Sequence, residues 1–374
     1  MTATDLAAAP AIQGRSLWVD AWRRLRANRA AVISGIYLIV MAFACIVGPW
    51  VAPNAYDDVF PDYVRVPASL DPYPRAESIE RGLADALKRA RLEARDIRVE
   101  GNRITATVTS PKPIDERFLR YVDRSDLFEE ARIDTKAPDG LSVTLSASVR
   151  RVVFYFGTDA NGRDLMTRTL IAGRVSLGIG LLAGLVAVTI GVLYGSISGF
   201  VGGRVDDLMM RIVDVIYSLP YIFFVILLVV FFGRNIILMF IAVGAVEWLD
   251  MARIVRGQTL SIKRREYVQA AEALGVSPLG ILRRHVIPNT LGPVVVYMTL
   301  LVPKVILIES FLSFLGLGVQ EPLTSWGVLI AQGARNIESA TWLIVFPSLF
   351  LTSTLFALNF LGDGLRDALD PKER

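Results

Sequence analysis

Six stretches of the chain are apolar on every face and long enough to approach the thickness of a bilayer: residues 30–51, 171–200, 212–232, 236–251, 294–315 and 342–361. A spanning helix needs roughly 20 mostly apolar residues, so each predicts a transmembrane helix. The fourth is the shortest and carries Glu247 and Asp250. Residues 57–150 read differently, with 34 charged side chains in 94 positions, and must be solvated. Ile79, Leu83, Leu87, Ala90 and Ala94 share one helical face over 77–94. Residues 97–108 read as a hairpin turning at Gly101-Asn102, and 141–149 alternate as a strand does. These patterns predict a small α+β domain inserted between the first two spans. It holds no nucleophile–base pair and no metal-ligand cluster, so it is read as a packing or docking elaboration.

Two further patterns refine the spans. Gly173, Gly180, Gly184, Ala187, Gly191, Gly195 and Gly199 form a small-residue stripe on the second span. Such stripes let helix backbones approach closely in lipid, and the expectation is packing within the subunit. Between the fourth and fifth spans, residues 262–274 are good helix formers closed by Gly275, a favoured helix terminator. Ser277-Pro278 then reads as an N-cap followed by proline at the first helical position. A second short helix is predicted to about Val286, with Ile287-Pro288-Asn289 stopping it and starting the next span. The product is a helix–turn–helix tethered to two spans, a shape suited to docking a soluble partner and passing on its motion.

Charge placement gives the orientation. Arg15, Arg23, Arg24, Arg26 and Arg29 crowd the N-terminal arm. Arg204 and Arg211 flank the second connection between spans, and Arg253, Arg256, Lys263, Arg264, Arg265, Arg283 and Arg284 fill the fourth. Arg366, Lys372 and Arg374 lie in the tail. With six spans all four regions fall on one side, read as the cytoplasm, with both termini inside. The arm, 1–29, precedes a retained first span rather than a cleaved signal. The insert, 52–156, falls outside, and a five-helix core, 157–362, leads to a cytoplasmic tail, 363–374. Composition agrees with a multi-pass membrane protein: 53% hydrophobic residues, mean hydropathy +0.46, net charge +4. One Cys, Cys45, excludes an intrachain disulfide, and one His, His285, leaves little for catalysis or metal binding.

Several segments carry a family resemblance. Gln269-Ala270-Ala271, Gly275 and His285-Val286-Ile287-Pro288 resemble the cytoplasmic EAA loop of membrane subunits of binding-protein-dependent ABC importers. Gln269 stands for the usual Glu, His285 for Ile and Ile287 for Leu. Residues 22–32, 157–164, 309–318 and Ser325-Trp326-Gly327 resemble the C-type subunit of oligopeptide and dipeptide permeases. The resemblance covers about 15–57 and 155–371, and not the insert. It implies an all-α polytopic fold of the type I importer class with six transmembrane helices. It further implies a non-catalytic subunit in the bacterial inner membrane, surrounded by lipid. Implied partners are a second homologous permease, two ABC ATPases and an external solute-binding protein, with no nucleic acid. ATP and magnesium would sit in the ATPases, and no cofactor in this chain, which has no Gly-x-x-x-x-Gly-Lys-Ser/Thr sequence. The coupling loop would comprise Gln269, Ala270, Ala271, Gly275, Ser277, Pro278, Arg283, Arg284, His285, Ile287 and Pro288.

Charges inside spans are costly in lipid and face a protein interior or a wet path. Lys304 and Glu309, with Ser313, are therefore candidates for the translocation path or a gate, and an interhelical packing role is weighed equally for Glu309. Asp214 is read as an interhelical ion pair. Residues 159–164 resemble a calcium loop only in part, since the fifth position is Arg163 and the twelfth is Leu170 in place of Glu, and they read as a turn capping the entry to the second span. The competing reading is an ion-gradient-driven transporter using Glu309, Lys304 or Glu247, which has no need of the loop. A membrane-embedded enzyme lacks its constellation.

Overall fold

The computed structural model describes residues 17–232 and 236–369. The chain opens with α1 (Leu17–Ala27) and α2 (Arg29–Val51). The insert contributes α3 (Ala76–Arg89), β1 (Glu93–Glu100), β2 (Arg103–Thr109), α4 (Leu119–Asp123), β3 (Phe128–Lys136) and β4 (Ser142–Val149). Next come α5 (Leu165–Val201), α6 (Gly203–Tyr217), α7 (Tyr221–Phe232) and α8 (Ile236–Lys263). The two short helices α9 (Glu266–Ala273) and α10 (Pro278–Ile281) precede α11 (Ile287–Phe314), α12 (Trp326–Arg335) and α13 (Trp342–Leu369). Among the described residues, four helical runs are long and apolar enough to cross a membrane: Arg29–Val51, Leu165–Val201, Pro278–Phe314 and Trp342–Leu369.

The chain divides into two compact units. One comprises Phe43–Arg174 with Pro322–Phe350. Its antiparallel sheet has the order β1-β2-β4-β3. The hairpin turns at Gly101, whose φ of +64° is open to glycine without a side-chain clash, as the sequence predicts. Alternate residues Ile104, Ala106 and Val108 of β2 and Val143, Leu145, Ala147 and Val149 of β4 point to one face. Ile79, Leu83 and Leu87 of α3 cover that face, and Phe60, Tyr63 and Phe154 close the core with edge-on ring contacts. Strand β3 is not apparent from the sequence. Its pairing with β4 slips twice, between Glu129 and Arg132 and between Ile133 and Thr135, which erases the period-two pattern.

The other unit comprises Val175–Glu321, the chain up to Ala42 and the chain from Leu351. From Gly180 to Gly199 the glycine stripe of α5 packs within this unit, and Gly173 packs on Cys45 and Trp326 in the first. A side chain at Gly180 would meet Val302 and Ile306 of α11, at Gly191 Met251 of α8, and at Gly199 the Arg256 carbonyl. At Gly195 a Cβ would run into the Ala252 carbonyl and stand 2.9 Å from the Arg256 amide. Both obstacles are backbone, so the helices must separate to admit it. Gly195→Val is therefore expected to cost about 1–3 kcal/mol by overpacking and to lower the thermal midpoint of the detergent-purified protein. Gly178→Val, at a position with open space beside it, is expected to leave that midpoint unchanged.

Two predicted spans differ in the structure. The third, 212–232, is interrupted: α6 ends at Tyr217 and α7 starts at Tyr221, because Pro220 cannot donate a helical hydrogen bond and restricts Leu219 before it. The fourth does not stop at Met251 but continues to Lys263. Its two arginines are held in ion pairs. Arg256 forks onto Asp206 of α6 with two bonds of 2.6 Å, and Ser198 of α5 donates to the same carboxylate. Arg253 bonds Asp214 at 2.7 Å, the interhelical pair expected of that aspartate, and lies 4.3 Å from the centre of the Tyr217 ring.

Candidate functional site

The helix–turn–helix at α9–α10 forms as the sequence predicts, with changed boundaries. The first helix starts at Glu266 rather than at Ile262, which with Lys263 still belongs to α8, and the chain turns at Arg264 and Arg265. It ends in a Schellman closure. The Gly275 N–H donates to the Glu272 carbonyl and the Val276 N–H to the Ala271 carbonyl, both at 3.0 Å. Gly275 has φ +77°, the left-handed geometry this closure requires. Ser277 then caps α10, its hydroxyl accepting from the Gly280 N–H at 3.3 Å, with Pro278 at the first helical position.

Pro288 does not stop the second helix. Residues Leu282–Val286 form a π turn in which the Ile287 N–H donates to Leu282, and α11 follows without a break. A proline in an α-helix lacks its N–H and presses its ring on the carbonyl four residues back. The wider turn accommodates both, and the Asn289 side-chain amide donates to the His285 carbonyl at 2.6 Å.

Beneath the hairpin lies a core of Val268, Ala271, Ile281, Leu282 and Val286, with Phe200 of α5 and Ile262 of α8. Lys263 bonds the Phe200 carbonyl at 2.6 Å and lies over its ring. The rings of Tyr267 and His285 pack 6.1 Å apart, so His285 is a half-buried contact residue. Ala271 is buried and Ile287 half-buried, whereas Gln269, Ala270, Gly275, Ser277, Pro278, Arg283, Arg284 and Pro288 are exposed. Leu274 and Leu279 stand out at 84% and 75% exposed. Leu279 lines a surface hollow with Val276, Arg283 and Arg284, which is apolar at one side and basic at the other.

The intramembrane candidates separate. Lys304 lines a cavity of about 680 Å³ between α6, α8 and α11, bonding Glu247 at 2.9 Å and lying 3.6 Å from Asp250. Glu309 and Ser313 do not line it; they are buried, and the Ser313 hydroxyl donates to Glu309 at 2.7 Å. Glu247, whose partner Lys304 lies 57 residues on, was weighed from the sequence only as a gradient-coupling group. A Glu and a Lys on different helices leave no local signal of their pairing.

In the other unit the Asp159 turn is a cap, not a cation loop. Its carboxylate accepts from the Asn161 and Arg163 amides, and Asp164 accepts from the Met166 amide to start α5. Burial raises the Asp164 carboxyl above its usual range, opposed by the Asn54 amide that bonds it. Trp326, fully buried, donates to the Thr169 carbonyl at 3.0 Å, and Ser325 caps α12.

Comparison with known proteins assigns this arrangement. Residues 191–374 match the family model of the binding-protein-dependent transport system inner membrane component. Residues 16–72 match the N-terminal TM domain of oligopeptide transport permease C. The chain is 46% identical over 97% of its length to the oligopeptide transport system permease protein OppC of Escherichia coli K12, covering 94% of that protein. The chain belongs to the oligopeptide permease C family. This permease is also 43% identical over 97% of its length to OppC of Haemophilus influenzae, covering 91% of it. It is 30% identical over 99% of its length to the dipeptide transport system permease protein DppC of Lactococcus lactis, covering 94%. All three matches run through the insert, which lies outside the resemblance carried by the sequence motifs. The permease is thus a helical membrane protein of a binding-protein-dependent importer, with a small sheet beside its apolar helices.

Proposed function

We propose that this chain forms one half of the membrane pathway of an ATP-driven importer of dipeptides or oligopeptides, and that an ATPase subunit docks on the α9–α10 hairpin. The observation that carries the reading is the hairpin itself. A Schellman closure and a serine cap hold it in one shape, exposed Leu274 and Leu279 give it an apolar tip, and it runs into α11 without a flexible joint. Such an element passes a coupling free energy between a site at its tip and a site along α11.

In this reading α7 and α8 supply two further crossings, making six. Both termini and the hairpin face the ATPases, and 52–156 lies on the opposite side, toward the solute-binding protein. A second permease completes the pathway, and ATP and magnesium belong to the ATPases, so this chain performs no chemistry. The relatives' names support peptide cargo. A gradient-driven carrier is not favoured, because it would have no use for the hairpin.

Affinity purification of the tagged chain from membranes in mild detergent, with mass spectrometry of what accompanies it, tests the assembly. A second permease and P-loop ATPases in fixed ratio are expected. A chain that runs alone or only with copies of itself would overturn the proposal.

A further inference from the structure

The cavity between α6, α8 and α11 is built around an imbalance of charge. Its described lining is mostly apolar, including Ile216, Leu219, Leu300, Leu307 and Phe311. Its charged lining residues are two carboxylates, Glu247 and Asp250, and one ammonium, Lys304. Lys304 holds Glu247 through Oε2 and lies beside Asp250. Glu247 is 2% exposed, and its Oε1 has no hydrogen-bond partner among the described residues. A buried carboxylate oxygen without a donor is costly, and an intramembrane charge without a full complement marks a ligand path more often than a packing site. An apolar pocket of this volume with a few convergent polar groups is the usual form of a small-molecule site.

We propose that this cavity receives the N-terminal ammonium of the passing peptide, with Glu247 Oε1 and Asp250 as its acceptors and the apolar wall taking the first side chain. One added ammonium brings the cavity to two positive and two negative charges, and it supplies three N–H donors where Glu247 lacks one. Lys304 keeps its bond to Oε2 and orients the carboxylate. The proposal rests on the peptide-importer reading.

The test uses the assembled permease–ATPase complex without its solute-binding protein, so that only the membrane part can select. The probes are trialanine and N-acetyl-trialanine, which differ in the ammonium, and the readout is the thermal midpoint against probe concentration in the millimolar range. Trialanine is expected to raise the midpoint, and N-acetyl-trialanine at least tenfold less effectively. Glu247→Gln is expected to weaken trialanine at least tenfold and to leave the acetylated probe unchanged. If that variant does not assemble, Asp250→Asn carries the same expectation. Equal response to the two probes, or none to either, overturns the site. ATP-driven trialanine uptake by the complete wild-type transporter is measured alongside. Uptake without discrimination sinks this inference alone, whereas absence of uptake sinks the reading on which it rests.

Discussion

Peptide uptake is expected to fall to background in Gly275→Pro, with the chain at normal abundance in the membrane. Proline fixes φ near −65°, and Gly275 sits at +77°. The substitution also deletes the N–H that donates to Glu272 and displaces the Val276 bond to Ala271. The Schellman closure is lost, and with it the angle it fixes between α9 and α10. Gly275→Ala separates this effect from crowding. Nothing lies within 4 Å of a Cβ built there, so its cost is only the left-handed conformation, about 1–2 kcal/mol, and partial uptake is expected. Uptake of labelled peptide and an immunoblot of the membrane fraction give both readings. Wild-type uptake in Gly275→Pro would remove the hairpin from the coupling path.

The second large effect is expected on stability. Asp206 is buried, and its carboxylate is satisfied by Ser198 and the forked Arg256 guanidinium. Arg256→Met leaves that charge with one hydroxyl donor. Breaking a buried pair from one side costs 3–5 kcal/mol, and the partly exposed guanidinium places this case at the low end, about 3 kcal/mol. The thermal midpoint in detergent is expected to drop clearly. Adding Asp206→Leu to Arg256→Met is expected to recover most of the loss, since the uncompensated charge goes with it. A midpoint unmoved by Arg256→Met would mean that the Asp206–Arg256 pair contributes nothing to holding α6 against α8.

These elements show why some of the molecule was legible from its sequence. Gly275 and Pro278 act through their own backbone and Ser277 through a hydroxyl bonded three residues on, so their positions announce the closure and the cap. The stripe from Gly173 to Gly199 is legible for a related reason: a missing side chain permits close approach whichever helix arrives. Pro288 misled because a proline's effect depends on the turn before it, and a π turn absorbs what an α turn does not. Pro220 lies inside a long apolar run, where composition outweighs a single breaker. Strand β3 was hidden by its two slips in register. The pairing of Glu247 with Lys304 is a property of helix packing, so each residue read alone was only a charge in lipid.

The π turn at Leu282–Val286 also bears on how this chain tolerates change in length. A π turn holds one residue more than the α turn it replaces. Deleting one residue there would let the turn close as ordinary α-helix, with the helical phase on either side nearly unchanged, because the extra residue is what the wider turn absorbs. The hairpin would keep its shape, α11 its packing, and the tip bearing Leu274 and Leu279 its direction. Pro288 would then press on an α turn that lacks the room for it. A single-codon deletion in this pentad is thus a strain at one proline rather than a change of aim.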